Sequence, residues 1–222
     1  MLKSKRTLIH RFGLLGIVSF ISYAAAVIFA PLAYPDYNWM RQAVSDLSAQ
    51  NAPSLALWNQ LSSLYGVAGI VCIMTVCIAV QGKWSKVLRL GIYMFAAMWW
   101  VSIVGFTAFP LSESGIGGTT FQDVMHLVVT AAVVILSVIS LVLIMIGGYR
   151  EKRLFSLAIC ATTALIIMFI GAIGTGVAPR EYFGVFQRLS NMISANGFLA
   201  ALGIYLFAGK LDDRGEHIST SV

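Results

Sequence analysis

Asp123 and His126 stand three positions apart at the start of a long apolar stretch, where they could carry proton chemistry. Residues three apart share one face of a helix, so the carboxylate could orient the imidazole. His126 is the only histidine in the long apolar stretches, and histidine changes charge near neutral pH. The alternative is structural: Asp123 stabilises a helix amino terminus, and His126 bridges two helices.

Arg188 lies inside another apolar stretch, with Gln187 and Asn191 beside it. An unpaired guanidinium is costly there, so we expect a carboxylate or phosphate partner, and Asp46 and Asp123 are predicted at matching depth. The candidate catalytic residues are His126, Asp123, Ser45 and Asp46, and the candidate ligand-binding residues are Arg188, Arg41, Asp46, Asp123, His126, Gln187 and Asn191. A salt bridge that only clamps helices is the competing interpretation.

Six apolar stretches must position these residues. Each is long enough to supply the ~20 residues that a membrane-spanning helix needs. They cover about 12–33, 58–81, 88–109, 124–147, 154–177 and 186–208. The sequence therefore predicts an all-α, polytopic membrane protein: a six-helix transmembrane bundle that forms a single domain over 1–222. The composition, 59% hydrophobic and 11% charged, excludes an ordinary soluble domain.

The basic residues divide unevenly between the gaps. The gaps on the side of both termini hold 12 of the 15 Lys and Arg residues, and Arg41, Arg180 and Arg188 fall on the other side. Because Lys and Arg are retained in the cytoplasm, both termini are predicted cytoplasmic, in a cell membrane. The net charge of +6 then indicates contact with membrane lipids rather than nucleic acid, for which a basic stripe with stacking aromatics is missing.

The first outer connection shows helical periodicity. Trp39, Ala43 and Leu47 fall on one face and Arg41 and Asp46 on the other, which predicts a short amphipathic helix over about 39–50. It could close the outer mouth of the bundle as a lid or float in the interface. Pro31, Pro110 and Pro179 each stand at the outer end of an odd-numbered stretch, a pattern that favours three repeated hairpins, although proline is common at helix ends.

The outer segments also resemble a known family. They are Tyr37-Asn38, Ser45-Asp46-Leu47, Asn51-Ala52-Pro53, the Pro110 turn, Asp123 with His126, and Phe186-Gln187-Arg188. This order is similar to the six-span prokaryotic family called domain of unknown function 998. The resemblance implies the topology and outer site positions at Ser45, Asp46, Asp123, His126 and Arg188, but it implies no activity.

Two functions from different classes are consistent with these residues and this fold, and a third possibility is purely structural. The favoured one is binding of a lipid headgroup or small amphiphile, with Arg188 holding an anionic group. The alternative is an intramembrane hydrolase or transferase with His126 as general base. It would be similar in outline to ceramidase-like hydrolases, but a single histidine in the spans argues against zinc, and neither metal nor cofactor is expected. In the third, the protein is an assembly or stabilising partner of other membrane proteins, and the polar cluster is purely structural.

Overall fold

The computed structural model describes residues 6–115 and 120–212. Six of its helical segments are long and apolar enough to cross a membrane: Leu8–Ala33, Leu55–Val80, Lys86–Ala108, Phe121–Tyr149, Lys152–Val177 and Arg180–Phe207, here called spans 1 to 6. The described residues contain no strand, so the predicted all-α fold with six membrane-spanning helices is confirmed.

Spans 3 and 4 are single α-helices, whereas the other four are interrupted. Span 1 comprises α-helices Leu8–Phe12 and Leu14–Phe29 and a 3-10 helix Ala30–Ala33, and span 2 comprises Leu55–Leu61 and Tyr65–Val80. Span 5 is a 3-10 turn Lys152–Leu154 followed by Phe155–Val177. Span 6 runs through a 3-10 turn Arg180–Tyr182, an α-helix Phe183–Arg188, a π-helix Leu189–Asn196 and an α-helix Gly197–Phe207.

The interruption in span 2 is stabilised from span 1. Ser22 donates a hydrogen bond of 2.6 Å to the Leu61 carbonyl, and Ser19 donates one of 2.7 Å to the Tyr65 carbonyl. A broken helix frees backbone carbonyls that hydrocarbon cannot solvate, so neighbouring helices must bond to them. The two serines of span 1 therefore explain why a non-helical turn is tolerated at this depth.

Spans 3 and 4 pack closely because glycines face the partner helix, two of them directly against its backbone. A Cβ on Gly91 would lie 2.8 Å from the Ile144 nitrogen, and one on Gly147 would lie 2.6 Å from the Leu88 nitrogen. Small residues allow such close packing where lipid supplies no hydrophobic drive. Around this contact lies a buried apolar core to which spans 2 to 6 all contribute, with Trp99 and Phe95 among its largest side chains.

The two ends of the bundle differ. At the end with the termini, His10 Nε2 lies 2.8 Å from a carboxylate oxygen of Asp212, and the Trp84 indole donates to the Leu211 carbonyl. The opposite end, here called the distal end, carries the connections between spans 1 and 2, 3 and 4, and 5 and 6. Pro31, Pro110 and Pro179 all stand at or just after span ends there, as predicted, while the threefold repeat stays a prediction.

Candidate functional site

The connection between spans 1 and 2, residues 34–54, folds onto the distal end and is here called the capping segment. The predicted three-turn helix over 39–50 does not form; turns surround a single 3-10 helix, Ser45–Ser48. Val44 and Leu47 are buried at 4% and 0% exposure, whereas Trp39 is 54% exposed. The apolar face of the pattern therefore packs on the bundle, as a lid would, and Trp39 remains outside.

Arg188 of span 6 explains this conformation, because its guanidinium binds the backbone of the capping segment. Nη1 donates to the carbonyls of Trp39 (2.6 Å), Gln42 (3.1 Å) and Gly184 (2.8 Å), and Nη2 donates to the Tyr37 hydroxyl (2.7 Å). No ion pair to Arg188 occurs within the described ranges. The expected carboxylate partner is thus replaced by carbonyl oxygens, whose partial negative charges also satisfy a buried guanidinium.

Two neighbours of Arg188 complete the attachment. Gln187 Oε1 accepts a 2.7 Å hydrogen bond from the Val44 backbone, and the Gly184 backbone donates one of 2.7 Å to the Met40 carbonyl. A Cβ on Gly184 would collide with the Trp39 and Gln42 carbonyls, so only glycine lets the chains approach this closely. Burial raises the pKa of the Tyr37 phenol, although the Arg188 charge opposes that shift.

Asp46 joins the capping segment to the connection between spans 3 and 4. One carboxylate oxygen accepts from the Ala43 backbone (3.1 Å) and the other from the Gly115 backbone (3.0 Å), while Ser114 donates to the Asp46 carbonyl (2.8 Å). The side chain is 5% exposed. Backbone hydrogen bonds therefore satisfy both oxygens of this carboxylate, which has no ion pair among the described residues.

Asp123 closes the same connection at its other end. Its carboxylate accepts hydrogen bonds from the backbone and hydroxyl of Ser112 and of Thr120, at 2.7 to 3.3 Å, and the Asp123 backbone donates to the Thr120 hydroxyl. This reciprocal capping box fixes the start of span 4. All these donors belong to the connection itself, and Asp123 is fully buried.

His126 binds a different partner from those of Asp46 and Asp123. Nδ1 lies 2.9 Å from the Phe109 carbonyl, and the imidazole lies against the Phe106 ring at 4.9 Å between centroids. Because a carbonyl can only accept, Nδ1 carries the hydrogen and a neutral ring leaves Nε2 as an acceptor. No hydrogen bond joins His126 to Asp123 or Asp46 in the part of the chain that the structure describes, so the predicted residues form separate groups. Arg41 is exposed, and the Ser45 carbonyl accepts a hydrogen bond of 3.2 Å from the Ser48 hydroxyl.

A cleft of about 150 Å³ lies below these groups, in the distal half of the bundle. All spans except the first contribute to it; Tyr65 belongs to span 2, Trp99 to span 3 and Met168 to span 5. Its polar wall consists of Ser102, Thr130, Ser137, Gln187, Ser190, Asn191 and Asn196. Val134, which is 46% exposed, and the exposed Ala172 and Asn191 stand at its open side, so the cleft opens laterally.

The π-helix of span 6 shapes one wall of the cleft. Asn196 Nδ2 donates to the Asn191 carbonyl (3.2 Å) and to the Asn191 side-chain oxygen (3.0 Å), which links both ends of the widened turn. Such π-turns occur frequently at functional sites. Gln187 and Asn191 are the predicted ligand residues that reach the cleft. Ser102, Ser190 and Asn196 were not predicted, and their polarity within apolar stretches was the only signal for them.

The fold and this cleft define the class: a multi-pass helical membrane protein with a laterally open cleft that is partly polar and partly apolar. Among the described residues, no group of three or more His, Cys, Asp or Glu could hold a metal ion. Residues 17–205 match the model of the family described as protein of unknown function DUF998, and the chain belongs to that family. Neither the curated proteins nor the solved structures searched gave a significant match.

Proposed function

We propose that this membrane protein binds a lipid headgroup or a small amphiphile in the distal cleft. The observation that carries the proposal is a polar wall that opens sideways through an apolar surface. Hydroxyl and carboxamide groups at membrane depth are unfavourable unless they face partners or water. An amphiphile entering from the bilayer would give them hydrogen-bonding partners and keep its chain in hydrocarbon.

The surface around the opening supports lateral entry. Ile135, Ile170 and Ile173, on the two helices beside the opening, are 59%, 51% and 60% exposed. Large exposed apolar side chains of this kind are expected to contact acyl chains in a membrane-spanning bundle. An acyl chain could therefore lie along this surface while its headgroup occupies the cleft.

In this proposal, the distal charged residues hold the architecture of the site. Arg188 attaches the capping segment to span 6, and Gln187 touches both the capping segment and the cleft. Asp46 and Asp123 shape the connection between spans 3 and 4. The charge distribution supports a cell-membrane orientation with both termini cytoplasmic and the distal end extracytoplasmic.

Obstruction of the opening tests the proposal. Val134→Phe adds bulk at the mouth, and Ile135→Phe places the same ring on the neighbouring lipid-facing position as a matched control. Mass spectrometry of amphiphiles that co-purify from native membranes should show a species retained by the wild type and by Ile135→Phe but reduced severalfold in Val134→Phe. Equal retention by all three proteins would contradict binding in this cleft.

A further inference from the structure

The wall of the cleft contains hydroxyls, carboxamides, aromatic rings and aliphatic groups but no charged side chain among its described residues. The charged residues next to it form hydrogen bonds with groups outside the cleft. Arg188 follows Gln187 in the chain, yet its guanidinium donates to three carbonyls and the Tyr37 hydroxyl in the capping segment and span 6. Asp123 accepts from Ser112 and Thr120. An ionic headgroup in the cleft would therefore lack a counter-charge.

The orientation of two carboxamides follows from their partners. Gln187 must present its oxygen to the Val44 N–H, because a backbone N–H can only donate, and its Nε2 then points away from that bond. Asn196 must present its nitrogen to the Asn191 carbonyl, so the Asn191 atom that accepts from the same nitrogen is its side-chain oxygen. Asn191 Nδ2 is consequently left as a donor. Both residues line the cleft four positions apart on span 6.

We infer that the occupant is an uncharged amphiphile whose ester, carbonyl or hydroxyl oxygens accept hydrogen bonds from Gln187 Nε2 and Asn191 Nδ2. This inference rests on the proposed function and specifies its ligand. Transfer of an ion into a site without a counter-charge costs several kcal/mol, whereas a neutral oxygen needs only the donors present.

The size of the cleft limits what enters it. A cavity of about 150 Å³ is comparable to one that accommodates a benzene-sized molecule. A glycerol ester headgroup has a similar number of heavy atoms, and its acyl chain would leave past Val134 and Ala172. Monoacylglycerols, diacylglycerols and fatty alcohols share this chemistry.

The test is a competition experiment on the full-length protein in detergent micelles. Saturable binding of radiolabelled monooleoylglycerol is measured by scintillation proximity and corrected with Val134→Phe. The competitors are unlabelled monooleoylglycerol, oleyl sulfate and oleyl trimethylammonium, which share one chain and differ in charge. The wild type should prefer the neutral compound over both ions by about tenfold or more, because the ions lack a partner.

Asn191→Asp provides the decisive variant, because Asp keeps the acceptor that Asn196 uses, loses the Nδ2 donor and adds a negative charge at the exposed mouth. It should weaken binding of the neutral probe severalfold, and the trimethylammonium compound should become the strongest competitor for the binding that remains. Tighter binding of either ion by the wild type, removed by Val134→Phe, would overturn the neutral-ligand inference while leaving the proposed function intact. The absence of any binding sensitive to Val134→Phe, for all three compounds, would overturn both.

Discussion

Replacement of Arg188 by methionine should release the capping segment without unfolding the six spans. Arg188 is 9% exposed, and Nη1 has two hydrogens for three carbonyls, one of which belongs to Gly184 of span 6 itself, so about two full-strength bonds, including the one from Nη2 to Tyr37, hold the capping segment. Hydrogen bonds to charged groups contribute roughly 1.5 kcal/mol each at the low end, and buried carbonyls are left unpaired. The free energy for opening this segment should fall by about 3–4 kcal/mol.

Hydrogen exchange measured by mass spectrometry reads this opening directly. For residues 38–47, a loss of about 3–4 kcal/mol corresponds to roughly 100- to 1000-fold faster amide exchange, with spans 3 and 4 unchanged. Arg41→Met is the matched control, because Arg41 is exposed on the same segment. Arg188→Lys should recover only part of the protection, since an ammonium lacks the planar fork. Wild-type protection in Arg188→Met would refute the anchoring role.

Three further perturbations follow from contacts elsewhere. The pKa of Tyr37 is raised in the folded state, so the contribution of its protonated phenol to stability is complete below pH ~10 and falls as the pH rises toward the folded pKa. Hydrogen-exchange protection of the capping segment should therefore fall over this alkaline range in the wild type but not in Tyr37→Phe. The same pH profile in both proteins would contradict this role of Tyr37. Gly147→Ala should lower thermal stability by about 1–3 kcal/mol through overpacking, while Gly176→Ala, with open space around it, should not. Ser22→Ala should lower stability by about 1 kcal/mol because it leaves the Leu61 carbonyl unpaired, whereas Ser63→Ala, at an exposed position, should be neutral. Equal melting temperatures of the two glycine variants, or of the two serine variants, would refute the corresponding contact.

Hydropathy predicts the spans well because it detects the hydrocarbon thickness. The predicted stretch 88–109 corresponds to Lys86–Ala108, and 154–177 to Lys152–Val177. Hydropathy does not detect polar helical turns that extend beyond the hydrocarbon. Span 4 begins at Phe121, where the Thr120 and Asp123 capping box starts the helix, and span 6 begins at Arg180, six residues before the apolar stretch at 186–208.

The capping segment was only partly predictable. Its periodicity places Trp39 and Leu47 together on an apolar face and Asp46 on the polar face, but Trp39 is exposed, Leu47 and Asp46 are both buried, and the helix implied by that periodicity does not form. The cause lies far away in the sequence, because Arg188 and Gln187 hold backbone groups of this segment in other directions. Backbone carbonyls leave no sequence signature, so a carboxylate was the natural expectation for Arg188.

The cleft itself depends on packing geometry that no sequence pattern predicts. Gln187 and Asn191 were predicted as ligand residues from their polarity, and both line it. The π-helix that brings Asn191 and Asn196 together has no characteristic residue pattern. Polar residues could thus be recognised individually, whereas their convergence required the packing of five spans.

Photo-crosslinking with a diazirine-bearing monoacylglycerol tests occupancy of the cleft most directly. The label should concentrate on residues 130–137 and 187–196, disappear with excess unlabelled monoacylglycerol, and be lost in Val134→Phe but not in Ile135→Phe. Labelling spread over the lipid-facing surface of span 1 around Ile21 and Ile28, which does not line the cleft, undiminished by the competitor and equal in both variants, would contradict the account.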